Sequence, residues 1–234
     1  MLDGAIGTTL QRERLSEADY RGDRFRDHPS PLQGDIDLLN LTRPASVGKV
    51  HRLYLEAGAD IITTNTFAAT AVAQRDFGLA DLAYEINKAG AELARSAIGD
   101  LPDRFVAGSL GPTNITLSLS PRVDEPAYRT TTFDALYADY AEAARGLRDG
   151  GADLLLVETI FDSLNAKAAL KAARDVAPEL PLIASFTVVD RSGRNLSGQT
   201  PEAWWIAIEA FEPLMVGVNC SLGAAEMRPY LAEL

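Results

Sequence analysis

Three side chains that could carry chemistry each follow a short apolar run of the sequence. Asp3 stands before Gly4 at the end of the first run, Glu158 follows four aliphatic residues, and Cys220 lies just after residues 214–218. A carboxylate at such a place can accept an amine or a metal, and a cysteine thiolate can ligate a metal. Plainer interpretations stay open: an Asp-Gly turn, a salt bridge from Glu158 to a neighbouring helix, and a small buried apolar side chain for Cys220.

The segments around these residues indicate strands that alternate with helices. Apolar residues recur every three or four positions over 47–57 and 133–147, which is typical of helices that pack on one face. The short aliphatic runs between such segments indicate strands buried on both faces. The strand signals lie near residues 1–3, 60–64, 105–110, 153–158, 182–188 and 214–219. This alternation predicts an α/β fold with a parallel sheet.

A repeated unit places two polar residues in equivalent positions. Residues 58–66 read GADIITTNT, and residues 151–159 read GADLLLVET. The match puts Asn65 and Glu158 at the same place, the carboxyl end of a strand. Because a barrel of such units carries its active site at those strand ends, we expect both residues to lie at one site.

The number of strand signals predicts an incomplete barrel. Six signals are two fewer than a (β/α)₈ TIM barrel needs. We therefore expect one domain over residues 1–234, a barrel truncated after about six βα units. A six-stranded open sheet with helices on both faces is the alternative. Residues 11–40 are charge-rich with little periodicity, and we expect them to form a long excursion between the first strand and its neighbour.

The composition excludes several classes of function. With 22 Lys+Arg against 33 Asp+Glu and a net charge of −11, we expect the chain to bind neither nucleic acid nor an anionic membrane surface. The N-terminal residues lack the positive charge of a signal peptide, and no stretch approaches about eighteen apolar residues, so we expect a cytoplasmic protein. The single cysteine can form no internal disulfide and cannot complete a zinc site by itself.

Several longer strings resemble the homocysteine S-methyltransferase family. They are LDGAIGT (2–8), EAGADIITTNTF (56–67), GPTN (111–114), ETIFD (158–162) and GVNC (217–220). Within that family, the chain is similar to the homocysteine-binding module of cobalamin-dependent methionine synthase. The strings that carry this second similarity are LSEADYRGDRF (15–25), NAKAA (165–169) and LSGQT (196–200).

The resemblance implies a barrel that transfers a methyl group to the thiol of homocysteine, giving methionine. It implies zinc held by three cysteine thiolates, with Cys220 as the first; the other two belong to a Gly-Gly-Cys-Cys-Gly segment that the 234 residues do not contain. Such a zinc ion would deprotonate the substrate thiol. Cys220 and Glu158 are the implied catalytic residues. The residues implied in substrate binding are Asp3, Gly4, Ala5, Asn65, Thr66, Phe67, Glu158 and Asn219.

The same resemblance implies the source of the methyl group. It is methylcobalamin on a separate module, recharged from methyltetrahydrofolate on another module. One alternative donor class comprises S-methylmethionine, S-adenosylmethionine and a betaine. A different alternative is a non-catalytic partial barrel completed by strands of another chain. A third is an unrelated barrel enzyme for phosphorylated substrates, although the sequence contains no phosphate-binding loop motif.

Overall fold

The computed structural model describes residues 1–220 and 222–234, and a sheet of five parallel strands lies at its centre. The strands are β1 (Ile61–Thr63), β2 (Phe105–Leu110), β3 (Leu154–Ile160), β4 (Leu182–Phe186) and β5 (Met215–Val218). They lie side by side in chain order, each parallel to the next. A doubly wound open sheet would reverse its strand order at one point, and this sheet does not. The strands and helices therefore form a half-barrel, as predicted for a truncated (β/α)₈ barrel.

The strand predicted at residues 1–3 is reduced to a single bridge. Leu2 forms an isolated parallel bridge with Ile61, and the Asp3 amide donates to the Ile61 carbonyl at 2.9 Å. The N-terminal amine of Met1 forms an ion pair with Asp60. These contacts hold the first residues beside β1, at the position predicted for a first strand.

Helices connect the strands. They are α1 (Ile6–Gln11), α2 (Glu17–Arg21), α3 (Leu39–Thr42), α4 (Pro44–Glu56), α5 (Ala71–Gln74), α6 (Ala83–Ile98), α7 (Phe133–Asp149), α8 (Ser163–Val176), α9 (Pro201–Ile208) and α10 (Ala224–Glu233). Short 3₁₀ helices span Arg75–Phe77, Ala80–Leu82 and Glu209–Phe211. Within the described ranges, no helix has the length and apolar character needed to span a membrane.

The helices begin where the sequence carries start signals. α4 begins at Pro44 and α9 at Pro201, because a proline in the first turn removes no hydrogen bond that the helix would make. The Asp162 carboxylate caps α8 by accepting from the amides of Leu164 and Asn165. Side-chain oxygens satisfy amides that have no partner within the helix, so these signals fix the starts of the crossover helices.

The main core lies between the sheet and the helices. Its largest fully buried side chains include Trp204, Tyr140, Phe186 and Leu147. A smaller apolar cluster covers the inner face of the sheet and consists of Ala107, Leu154, Leu156 and Ile183. The inner face therefore supplies an apolar floor to whatever lies at the strand ends.

The last strand is less buried than its sequence predicts. Residues 214–218 indicate a strand covered on both faces, yet Leu214 is 66% exposed and Met215 is 45% exposed. In the part of the chain that the structure describes, β5 pairs only with β4. The prediction of two-sided burial is wrong here because one flank of β5 carries no neighbouring strand.

The excursion over residues 11–40 connects the first residues with the rest of the fold, as predicted, and it has its own core. Tyr20 and Leu32 are buried there. Outside the short helix α2, side chains bind backbone groups that no regular element pairs. The Glu17 carboxylate accepts from the Leu32 amide at 2.9 Å, and the Arg21 guanidinium donates to the Ser30 carbonyl at 3.0 Å. These bonds satisfy the backbone without the periodicity that would have revealed order in the sequence.

Candidate functional site

A cavity of about 960 Å³ opens at the carboxyl ends of the strands. All of the residues predicted for the site line it, with one exception. They are Asp3, Gly4, Ala5, Asn65, Phe67, Glu158, Asn219 and Cys220. The exception is Thr66, which is buried and does not line the cavity. Residues from both ends of the chain thus meet at the edge of the sheet where barrels carry their chemistry.

Glu158 reaches the cavity near the end of β3. The Ser109 hydroxyl donates to its Oε1 at 2.7 Å, and the Asn219 side-chain amide donates to its Oε2 at 3.0 Å. Burial raises the pKa of Glu158, because its desolvation outweighs the hydrogen bonds that the carboxylate accepts. Within the described ranges Glu158 takes part in no ion pair, so the plainer interpretation as a salt bridge to a helix does not hold in this structure.

Asp3 lies across the cavity from Glu158, on the N-terminal segment. Its carboxylate accepts from the Thr63 amide at 2.8 Å and from the Thr63 hydroxyl at 3.0 Å. The pKa of Asp3 is raised to about 7. Burial is the main cause, and the nearby charge of Glu158 contributes to the increase. Two carboxylates that burial disfavours in their charged form, around one cavity, form a site for a positively charged group.

The charge of the cavity wall has one sign. Two further carboxylates, Asp35 and Asp37, line the cavity. Burial raises their pKa values to about 6 and about 8 respectively. Among the lining residues that the structure describes there is no Lys, Arg or His side chain, and the Met1 amine is paired with Asp60. Such a wall favours a cation or an ammonium group and disfavours a phosphate.

The Asn219 side chain connects several groups at the cavity. Its Oδ1 accepts from the Thr159 amide at 3.1 Å and from the Ser185 hydroxyl at 2.7 Å. Its Nδ2 lies 3.0 Å from Glu158 Oε2, 2.9 Å from Thr159 Oγ1 and 3.4 Å from Cys220 Sγ. The carboxamide therefore contacts both residues that were predicted to be catalytic.

Two residues of this network have an unusual backbone. Thr159 has φ 58° and Cys220 has φ 50°, a left-handed conformation that is uncommon for any residue with a Cβ and more so for a β-branched one. The pairing of β3 with β4 shifts register between Val157 and Ile160, which is how a bulge redirects a side chain. Backbone outliers of this kind cost about 1–3 kcal/mol and cluster at functional sites.

Gly4 and Ala5 present backbone to the cavity just before α1. A Cβ at Gly4 would lie 3.1 Å from the ring of Tyr54, so a side chain there would displace the tyrosine. The Tyr54 hydroxyl also lies 3.4 Å from Thr9 Oγ1. Glycine therefore allows this segment to pack closely against Tyr54.

In the segment after β1, most side chains bind other parts of the protein and do not face the cavity with free polar groups. The Asn65 side-chain amide donates to the Ile36 carbonyl at 2.8 Å, which ties β1 to the excursion. The Thr66 hydroxyl donates to the Ser109 carbonyl at 2.8 Å, which joins β1 to β2. Phe67 is 41% exposed on the cavity rim. Of these three predicted residues, only Phe67 offers a free side-chain surface to a ligand.

Several site residues are absent from the sequence-based prediction. Thr63 holds Asp3, Ser109 holds Glu158, and Ser185 holds Asn219. Each is a small hydroxyl residue within or at the end of a strand, so the sequence pattern indicates only that it belongs to the sheet. Asp35 and Asp37 lie in the excursion, where only the spacing of two acids before an apolar run gives a signal.

The described residues do not complete a zinc site. Cys220 is exposed at the cavity, which contradicts its plainer interpretation as a buried apolar residue. No group of three or more His, Cys, Asp or Glu side chains able to hold a metal occurs within residues 1–220 and 222–234. A catalytic zinc ion takes three protein ligands, so Cys220 fits as one ligand and the set as a whole does not fit.

Comparison with known proteins identifies relatives. The model of the family described as homocysteine S-methyltransferase matches residues 1–234. The metallated form of the homocysteine methyltransferase MmuM from Escherichia coli is similar with a TM-score of 0.71 and 23% identity, over 94% of this chain and 73% of that chain. Its apo form has a TM-score of 0.64 and 22% identity, over 94% of this chain and 71% of that chain. At these identities the solved structures show the fold.

Proposed function

The chain belongs to the homocysteine S-methyltransferase family, and we propose that its cavity binds homocysteine as a methyl acceptor, which yields methionine. The observation that carries the proposal is the pair of carboxylates, Asp3 and Glu158, in a cavity whose described lining has no basic side chain. Homocysteine brings one ammonium group, and an ammonium between two carboxylates relieves the unfavourable burial of their charges.

The rest of the amino acid has matching partners in this arrangement. Gly4 and Ala5 line the cavity, and in this proposal their backbone amides receive the substrate carboxylate, a role that the family resemblance supports. With the ammonium held near Glu158, the sulfur side of the substrate extends toward Cys220, since Asn219 contacts both side chains. The chain's own contribution is to bind and orient the thiol, and orientation supplies much of the rate of a displacement at a methyl carbon.

Cys220 is the one residue that this proposal assigns to zinc binding. When bound, zinc would lower the pKa of the substrate thiol, and Cys220 would serve as one of its thiolate ligands. A complete site needs ligands beyond the single cysteine of the 234 residues.

The methyl donor in the proposal is methylcobalamin on a separate module of a methionine synthase. Its support is the similarity of residues 15–25, 165–169 and 196–200 to the homocysteine module of that enzyme. A methyltetrahydrofolate module would recharge the cobalamin. The cytoplasmic location stays a prediction.

Calorimetric titration tests the proposal. Homocysteine should bind, and 4-mercaptobutyrate, which lacks the amino group, should bind more weakly. Glu158→Gln should cost about 1.5–3 kcal/mol of homocysteine binding, as expected for a hydrogen bond to a charged group, and should leave 4-mercaptobutyrate unaffected. Glu179→Gln, at an exposed position, is the control. Equal affinity of the unaltered protein for both ligands would refute the ammonium assignment.

A further inference from the structure

The orientation of the Asn219 carboxamide is set by a backbone amide that can only donate to it. The Thr159 backbone amide points at one end of the carboxamide at 3.1 Å. A backbone N–H cannot accept a hydrogen bond, so this end must be the oxygen. The Ser185 hydroxyl donates to the same oxygen at 2.7 Å. Oδ1 therefore has both of its lone pairs in use within the protein.

The fixed oxygen directs the amide nitrogen toward Glu158. Nδ2 carries two hydrogens, and it lies 3.0 Å from Glu158 Oε2, 2.9 Å from Thr159 Oγ1 and 3.4 Å from Cys220 Sγ. These acceptors outnumber its hydrogens. Both polar atoms of Asn219 are thus occupied inside the protein, which leaves little capacity for a direct bond to a substrate.

Glu158, on β3, is consequently held by side chains from either side of β3 in the sheet. Ser109 on β2 donates to Oε1, and Asn219 beyond the end of β5 donates to Oε2. Ser185 on β4 controls the second of these contacts through the carboxamide. Oε2 also accepts from the Thr159 hydroxyl at 3.4 Å, whereas Oε1 accepts, among the described residues, only from Ser109. Oε1 therefore keeps a free lone pair, so the carboxylate is fixed in direction while remaining able to accept from a ligand.

We infer that Asn219 is a positioning residue, not a substrate ligand, and that the Ser185 hydroxyl sets its orientation so that Glu158 faces the substrate ammonium. This inference rests on the proposed function for the identity of the ammonium compound. The hydrogen bonds among Ser109, Glu158, Asn219 and Ser185 do not depend on that identity.

A matched pair of substitutions at Ser185 tests the inference. Ser185→Thr keeps the hydroxyl, and Ser185→Val has nearly the same shape without it; the side chain borders the cavity, so both have room. We expect homocysteine affinity to stay within about twofold for Ser185→Thr and to fall about three- to tenfold for Ser185→Val, as for the loss of one hydrogen bond. Equal affinities of the two variants would overturn the role of the hydroxyl.

A second variant tests Asn219 itself. Asn219→Asp has the same shape and replaces the donor nitrogen with an oxygen that repels the Glu158 carboxylate. We expect homocysteine affinity to fall more than about tenfold, with the thermal unfolding midpoint used to confirm folding. Unchanged affinity in a folded Asn219→Asp protein would overturn the inference.

A nuclear magnetic resonance measurement separates this inference from the proposed function. The side-chain amide protons of Asn219 should exchange slowly with solvent in the unaltered protein and in Ser185→Thr, and faster in Ser185→Val. This readout needs no homocysteine. If the unaltered protein binds no homocysteine, the proposed function fails while the exchange rates still decide the orientation. Equal exchange in all three proteins would show that Ser185 does not hold the carboxamide.

Discussion

The Asp3 carboxyl group should make the stability of this protein depend on pH near neutrality. Asp3 is mostly enclosed, it accepts from Thr63, and it shares the cavity with Glu158. Asp3→Asn is the informative change, because asparagine keeps an oxygen for the Thr63 amide and removes only the charge. In the variant, the part of the pH dependence that comes from this carboxyl group should disappear.

The magnitude follows from the pKa of Asp3. Burial raises that pKa from 3.8 to about 7, so the native state holds the proton more tightly than the unfolded state does. Stabilisation from this group is present at low pH and is lost as the pH rises from about 4 through about 7. At about 1.4 kcal/mol per pKa unit the difference corresponds to about 4 kcal/mol. Because Asp3 retains some exposure to solvent, which screens its charge, we expect a loss of about 2 kcal/mol.

Urea unfolding at about pH 5 and about pH 8 measures this loss. The unaltered protein should lose about 1 kcal/mol more of its unfolding free energy over that interval than Asp3→Asn does, because the part of the loss below about pH 5 falls outside the interval. The carboxyl groups of Asp35 and Asp37 titrate in both proteins, so their contribution cancels in the comparison. Asp190→Asn is the control, since hydrogen bonds from Ser192 hold the pKa of Asp190 below its usual value. An identical loss in the unaltered protein and in Asp3→Asn would refute the reasoning.

Three further outcomes are expected. Homocysteine binding should strengthen between about pH 5 and about pH 7 with release of a proton, because the ammonium favours ionised Asp3; calorimetry in buffers of different ionisation enthalpy should show this, and zero proton release would contradict it. Leu38→Ala, which removes a fully buried side chain from the excursion, should cost about 2–5 kcal/mol in urea unfolding; a loss below about 1 kcal/mol would mean that the excursion is not packed. Cys220→Ala should leave the unfolding free energy within about 0.5 kcal/mol, since Cys220 is exposed, and a larger loss would indicate a packing role.

The sequence was sufficient to predict the residues at the strand ends. Each aliphatic run is short and ends in a polar residue, and parallel strands bring their carboxyl ends to one edge of a sheet. Asp3, Glu158 and Cys220 follow from that reasoning, and the cavity brings them together as expected. The alternation of strands and helices predicted a parallel α/β sheet and left an open sheet as the alternative to a truncated barrel, and the observed strand order distinguishes the two.

The supporting hydroxyl groups could not be predicted in this way. Ser109 and Ser185 lie inside apolar runs, and nothing in a single sequence tells which serine faces the cavity or which carboxylate it will bind. The order of the excursion was equally hidden, because it depends on contacts such as that of Glu17 with Leu32, which are not periodic. Side-chain hydrogen bonds between distant segments leave no pattern in the sequence.

The site is assembled from segments that are far apart along the chain, and this affects when it can form during synthesis. Asp3 finds its partner Thr63 after 60 residues, and Glu158 finds Asn219 after 61 residues. A ribosome adds about 5–20 residues per second, so Glu158 spends several seconds without its second partner. Closing such long loops also slows folding. The network around Glu158 can therefore be completed only after β5 has been synthesised.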